Sequence, residues 1–135
     1  MATRRANTIY QERLALSLEQ ASTTATAATK MWKVPTGRVF RVEGVFYNNP
    51  TGFAASDTNY YVLALKDGAT TIASWSTKLT GGNGALTADT PINLALSATD
   101  ANLVLQSGDT LSFSLTLTGT GTLPAGRLVV HGIFD

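Results

Sequence analysis

The stretch "SGDTLSFSLTLTG", residues 107–119, decides the fold class. Leu111, Phe113, Leu115 and Leu117 alternate with Ser112, Ser114, Thr116 and Thr118, which is the two-residue period of a β-strand with one buried face. The apolar face is core. The other face offers only hydroxyls, whereas a strand face turned to bulk water usually carries some Lys or Glu. Ser112, Ser114, Thr116 and Thr118 therefore form a candidate interface, set against the plainer reading of a solvated Ser/Thr face.

Working outward, the same signal recurs at short intervals. "GRVFRVEGVFYNN" (37–49) places Phe40, Val42 and Phe46 on one side and Val39, Arg41, Glu43, Val45 and Tyr47 on the other. "YYVLALKDGATTIASW" (60–75) reads as a hairpin turning at Asp67-Gly68, residues that tolerate positive φ. "INLALS", "NLVLQ" and the closing "GRLVVHGIFD" are further short strands, separated by the turn clusters "NNPTG", "KDG", "SGD" and "GTGTLPAG". "LALSL" (14–18) fits a strand through Leu14, Leu16 and Leu18, with a helix through Tyr10, Leu14 and Leu18 as the alternative. Eight or nine short antiparallel strands are too many for one flat sheet of this length, so two sheets should pack face to face. The expectation is an all-β, two-sheet antiparallel sandwich of the jelly-roll type, with an immunoglobulin-like sandwich second. Residues 1–20 are expected as an extended N-terminal arm and residues 21–135 as the sandwich domain.

Composition narrows the function classes. The 135 residues contain no cysteine, which removes disulfides, thiol nucleophiles and thiolate metal sites together. Only 14% of residues are charged, against about 25% in an average soluble domain. No apolar run approaches the roughly 20 residues of a membrane helix, and "MATRRANTIYQERL" lacks the apolar segment of a secretory signal. A soluble product made in the cytoplasm, with no membrane partner, is expected. Charge is divided along the chain: residues 1–41 carry seven basic and two acidic side chains, and residues 42–135 carry three and seven. A basic arm meeting an acidic protein partner follows; direct nucleic-acid binding is not expected, because such arms carry denser Lys and Arg.

No convergent chemistry stands out. His131 is the single histidine, and no "GxSxG" elbow accompanies it, so it reads as a strand histidine satisfied by a neighbour. Asp57, Asp67, Asp100 and Asp109 sit beside turn residues, as local backbone acceptors, without the spacing of a glycosidase pair or a calcium loop; one Ca²⁺ gathered from several loops is the alternative. Gly81, Gly82 and Gly84 in "TGGNGAL" lack the Lys of a phosphate loop and read as a flexible connector within residues 80–91. No catalytic, cofactor or metal site is assigned. Trp32, Trp75, Tyr10, Tyr47, Tyr60 and Tyr61 are candidate sugar-stacking platforms, with core or interface packing as the competing role.

Taken together, "VPTGRVFRVEGVFYNN", the "YYVLALKDGATTIASW" hairpin and "LVLQSGDTLSFSLTLTGTGTLPAGRLVVHGIFD" resemble the small jelly-roll cement or decoration proteins on the capsids of tailed bacteriophages, over roughly Val34 to Asp135. The resemblance implies a structural, non-enzymatic protein of the outer capsid surface. It implies a homodimer or homotrimer that clamps neighbouring subunits of the phage major capsid protein without any cofactor. Within that picture residues 1 to about 20 dock on a neighbouring subunit, with Arg4, Arg5 and Arg13 meeting acidic groups and Ile9, Tyr10 and Leu14 as apolar anchors. Related jelly rolls also serve as tail or head-fibre modules that recognise host carbohydrate or a surface protein, which is the alternative function.

Overall fold

The computed structural model describes residues 12–135. Ten strands follow in order: β1 (Glu12–Gln20), β2 (Ala27–Lys33), β3 (Phe40–Asn48), β4 (Tyr60–Asp67), β5 (Thr70–Ser76), β6 (Ile92–Asn93), β7 (Ala95–Leu96), β8 (Val104–Leu105), β9 (Thr110–Thr118) and β10 (Gly126–Phe134), with one 3₁₀ turn at Asp100–Leu103. Sheet I runs β1-β10-β3-β6, with β8 also on β3, and sheet II runs β2-β9-β4-β5-β7. Among the described residues no helix is long and apolar enough to cross a membrane.

The pairing is nested. β1 pairs with β10, β2 with β9, β3 with β6 and β4 with β5, all antiparallel. A chain paired first-to-last and rolled so that successive outer strands fall in opposite sheets is a jelly roll. The immunoglobulin-like alternative would keep the first two strands together in one sheet; here they lie in different sheets.

Alternation builds the core. Leu111, Phe113 and Leu115 of β9 meet Leu63 and Leu65 of β4 from the same sheet, and Phe40, Val42, Val45, Tyr47, Leu128 and Val130 from sheet I, all nearly sealed from solvent. Leu14, Leu16 and Leu18 pack against this core from β1, whose nine residues are all registered on β10. The strand reading of "LALSL" is therefore the correct one, and the expected division at residue 20 moves. Residues 12–20 are the first strand of the sandwich, because three alternating leucines and a full ladder are satisfied only inside the sheet.

Three further expectations need correction. The 60–75 hairpin turns on Gly68-Ala69 rather than Asp67-Gly68, with Gly68 alone at positive φ (59°). The glycine-rich 80–91 segment is tied down: the Asn83 side chain accepts from Ser76 N, Trp75 Nε1 donates to Gly84 O, and Phe53 and Leu86 exchange backbone hydrogen bonds. The strict alternation expected of β3 breaks at Glu43. His131 faces Gly44 and Gly132 faces Val42, leaving Glu43 as the extra residue of a bulge. Beyond it Val45 and Tyr47 turn inward and Phe46 turns out.

At one end of the sandwich a small polar network is enclosed. The Tyr47 hydroxyl donates to Gln20 Oε1 and accepts from Asn49 Nδ2 (3.1 Å), which also donates to Pro124 O (2.8 Å), while Asn49 Oδ1 accepts from the Thr51 and Gly52 amides. Burial pushes the Tyr47 phenol above its ordinary value, against a smaller opposing effect of the Asn49 hydrogen bond. The network joins the ends of β1 and β3 to the loop before β10. Replacing Tyr47 with Phe removes the only donor seen on Gln20 Oε1, and an unpaired buried acceptor costs about 1–3 kcal/mol. The urea midpoint of Y47F should fall accordingly with an unchanged slope; an unchanged midpoint would show the network to be dispensable.

Candidate interaction faces

Register settles where the hydroxyl row lies. β9 sits between β2 and β4, with Lys30 and Lys66 opposite Ser112, Ala28 and Ala64 opposite Ser114, Val62 opposite Thr116 and Tyr60 opposite Thr118. One strand further, Ser74 lies opposite Ala64 and Ser76 opposite Val62. Since Leu111, Phe113 and Leu115 point to the core, all these residues share the outer face of sheet II. That face is built from Ala, Ser, Thr and Val, with lysines toward one end and Tyr60 at the other. Ser112, Ser114, Thr116 and Thr118 are thus brought together as one surface on an interior strand of the sheet.

The outer face of sheet I is different in kind. It carries two ion pairs, Arg13–Glu43 (2.7 Å) and Arg127–Glu19 (2.5 Å), each with one partner on β1; a third pair with a β1 partner, Arg38–Glu12 (2.6 Å), lies at the open end of the sandwich, where Arg38 also covers the Phe134 ring. All are solvent-exposed, so each is worth only about 0–1 kcal/mol. Of the expected arm residues, Arg13 is therefore occupied by Glu43 of its own chain and Leu14 packs on its own core. Within the chain both residues help to hold β1 in the sheet. Arg4, Arg5, Ile9 and Tyr10 lie outside the described residues.

Phe46, turned outward by the bulge, stands between two hollows on sheet I. One, of about 420 Å³, is lined by Phe46, Val129, Pro50, Pro91 and Asn48, with Glu19 and Arg127 at its rim. The other, of about 450 Å³, lies between the Arg13–Glu43 pair and His131. His131 meets the Phe46 ring edge-on at 5.1 Å between centroids. Beside the first hollow, Asn48 Nδ2 donates to Asp89, whose φ of 52° is positive, and Asn48 Oδ1 is buried with no donor among the described residues. Nothing in residue type alone marked this hollow, because it depends on the one-residue slip at Glu43.

The other expected platforms are accounted for by packing. Tyr47 and Tyr61 are fully buried, the Tyr61 hydroxyl sharing its proton between Thr23 O and Gly121 O. Trp32 packs edge-on against Phe40, Trp75 packs on the core, and the Lys78 ammonium lies 5.7 Å from the Tyr60 ring centre. Tyr10 lies outside the described residues.

The aspartates behave as local structure. Asp57 accepts from the amide (2.7 Å) and hydroxyl (2.8 Å) of Thr80, and these bonds hold its carboxyl below the ordinary range, with a smaller contribution from Lys78. Asp109 accepts from Gln106 N (2.8 Å). Asp67 is raised from about 3.8 by partial burial first, then by its hydrogen bond and repulsion with Asp109. No cluster of three His, Asp or Glu gathers among the described residues.

No family model and no curated protein matches the chain. Among solved structures, one described as "Structure of infectious bursal disease virus Gx strain" aligns with 91% of this chain at 8% identity and a TM-score of 0.39. This chain spans only 38% of that one, and a likeness of this degree carries no functional argument.

The Asp67 shift has a definite sign. A carboxyl raised on folding favours the native state while protonated, and that contribution is lost as pH climbs through the raised value. Asp67→Asn removes the cost. Thermal melts of D67N should match the wild type in acid below the ordinary carboxylate value and exceed it at neutral pH; a constant difference across that window would show that ionisation of Asp67 is not its source.

Proposed function

We propose that this protein is a structural, non-enzymatic component of a tailed-phage capsid: a cement or decoration protein that lies on the outer shell and clamps neighbouring major-capsid subunits. The observation that carries the proposal is the outer face of sheet II. A flat surface of small hydroxyl and methyl groups lets another protein approach closely, and hydroxyls can both donate and accept across the contact. The resemblance of residues 34–135 to phage cement proteins supports the same reading. In it the protein acts as a homodimer or homotrimer at the virion surface, without cofactor, membrane or nucleic-acid contact. The first eleven residues, through Arg4, Arg5, Ile9 and Tyr10, add a second attachment.

The mechanism is mechanical. A protein that binds the assembled lattice and not its separated subunits stabilises the lattice by linkage, by RT ln(1 + [L]/Kd) per site. Weak contacts repeated over many copies then resist the pressure of packaged DNA.

The alternative, a tail or head-fibre module recognising host carbohydrate or a surface protein, is favoured by the Phe46 hollow. There an outward aromatic ring lies together with the polar side chains of Asn48, Glu19 and Arg127, the combination that a sugar ring with its hydroxyls requires.

Co-sedimentation of the purified protein with capsids lacking it, and with host cells, separates the two. Saturable binding to capsids supports the cement role; binding to cells with none to capsids replaces it with the fibre role. Deleting residues 2–11 leaves β1 intact and should weaken capsid binding without lowering the melting temperature. Full capsid occupancy by the deletion variant would remove the terminal segment from the proposal.

A further inference from the structure

We infer that the outer face of sheet II docks on an acidic, flat protein surface, through Lys30, Lys33 and Lys66 around a close-packed strip centred on Ser114. This rests on the capsid reading and specifies the chemistry of the partner.

The charge of this face lies on lysines. The chain has four, and none forms an ion pair among the described residues. Residues 1–11 contain no Asp or Glu. Register places Lys30 and Lys66 on either side of Ser112, and Lys33 beside Thr110, so three ammonium groups gather at one end of the same face. With strands about 4.8 Å apart, Lys30 and Lys66 stand roughly 10 Å from each other. The fourth, Lys78, leans on Tyr60 at the other end and already lowers the Asp57 pKa; it is left out of the docking set.

Among the described residues no carboxylate occupies the outer positions of this face. Asp67, next in sequence to Lys66, has the parity of Leu111 and points the opposite way, where partial burial and then Asp109, not a lysine, perturb it. Elsewhere Arg13, Arg38 and Arg127 are each paired with a glutamate of the same chain, and Arg41 on sheet I is the one described arginine outside an ion pair. Sheet I thus keeps a single uncompensated cation, and this end of sheet II keeps three.

Beyond the lysines the face is neutral and low. From Ser112 to Thr118 is about 20 Å along the strand, and the side chains across it are Ala28, Ser114, Ala64, Ser74, Thr116, Val62 and Ser76, with Tyr60 at the far end opposite Thr118. Short side chains let a second flat surface approach without leaving a charge buried and unpaired. A nucleic-acid surface would be served by arginine forks and exposed aromatic rings interleaved with the lysines. This face offers neither at its centre, and its area suits close protein contact carrying carboxylates opposite the lysine end.

The test uses the full-length protein and capsids lacking it, with a single-stranded 20-mer DNA and vesicles of phosphatidylserine and phosphatidylcholine as competing anionic surfaces. K30E/K66E should weaken capsid binding about tenfold or more at low salt, as loss of close charge pairs does. Arg41→Glu, a reversal on sheet I, should leave it unchanged. Ser114→Trp should abolish binding with all lysines present, since its bulk holds the surfaces apart; melting curves confirm that each variant is folded. If K30E/K66E and S114W both bind capsids normally, the capsid role stands and this inference is overturned. If the wild-type protein binds no capsid, both fall. If the lysine reversals act only on DNA or vesicle binding, the acidic-protein assignment is overturned in favour of that surface.

Discussion

The first and last strands of the described chain hold each other, and the rest of the sandwich depends on that pairing. β10 lies between β1 and β3 and is registered on both along its length. It can do so only because Gly132 stands where the Phe40 ring crosses and Gly126 where the Tyr47 hydroxyl lies; a Cβ at either site would collide with those groups. With β10 seated, β1 covers one flank of the core with Leu14, Leu16 and Leu18, the Arg13–Glu43 and Arg127–Glu19 pairs close over the outside, and Arg38–Glu12 closes one end beside Phe134. Most contacts join residues distant in sequence, so the structure is non-local throughout, which is the topology that folds slowly.

That arrangement decides the character of the two surfaces. Ion pairing on sheet I is a by-product of anchoring an edge strand. In sheet II β9 is an interior strand, with β2 and β4 on its two sides, and needs no charged clasp. Its outer residues are free of that structural duty, and they are the hydroxyl and lysine positions on which the functional proposal stands. The uneven charge that runs along the sequence becomes, in the fold, an unevenness between faces.

The bulge at Glu43 shows how much one residue changes. It moves Phe46 from the expected core to the surface and brings Val45 and Tyr47 inward. The outward ring creates two hollows, and the inward Tyr47 supplies the hydroxyl of the buried network. A similar change of sheet within two residues splits "INLALS" into β6 on sheet I and β7 on sheet II, with Leu94 buried between them.

The sequence by itself determined the fold class, the hairpin at 60–75, the hydrophobic rows of β9 and β10 and the existence of a hydroxyl face, because a period of two and its turn residues are local properties. It could not settle the side to which Phe46 turns, the membership of residues 12–20 in the sheet, or the grouping of Lys30, Lys33 and Lys66. Those depend on which strands become neighbours and in what register, and pairing between residues as far apart as Glu12 and Phe134 leaves no mark on either segment alone.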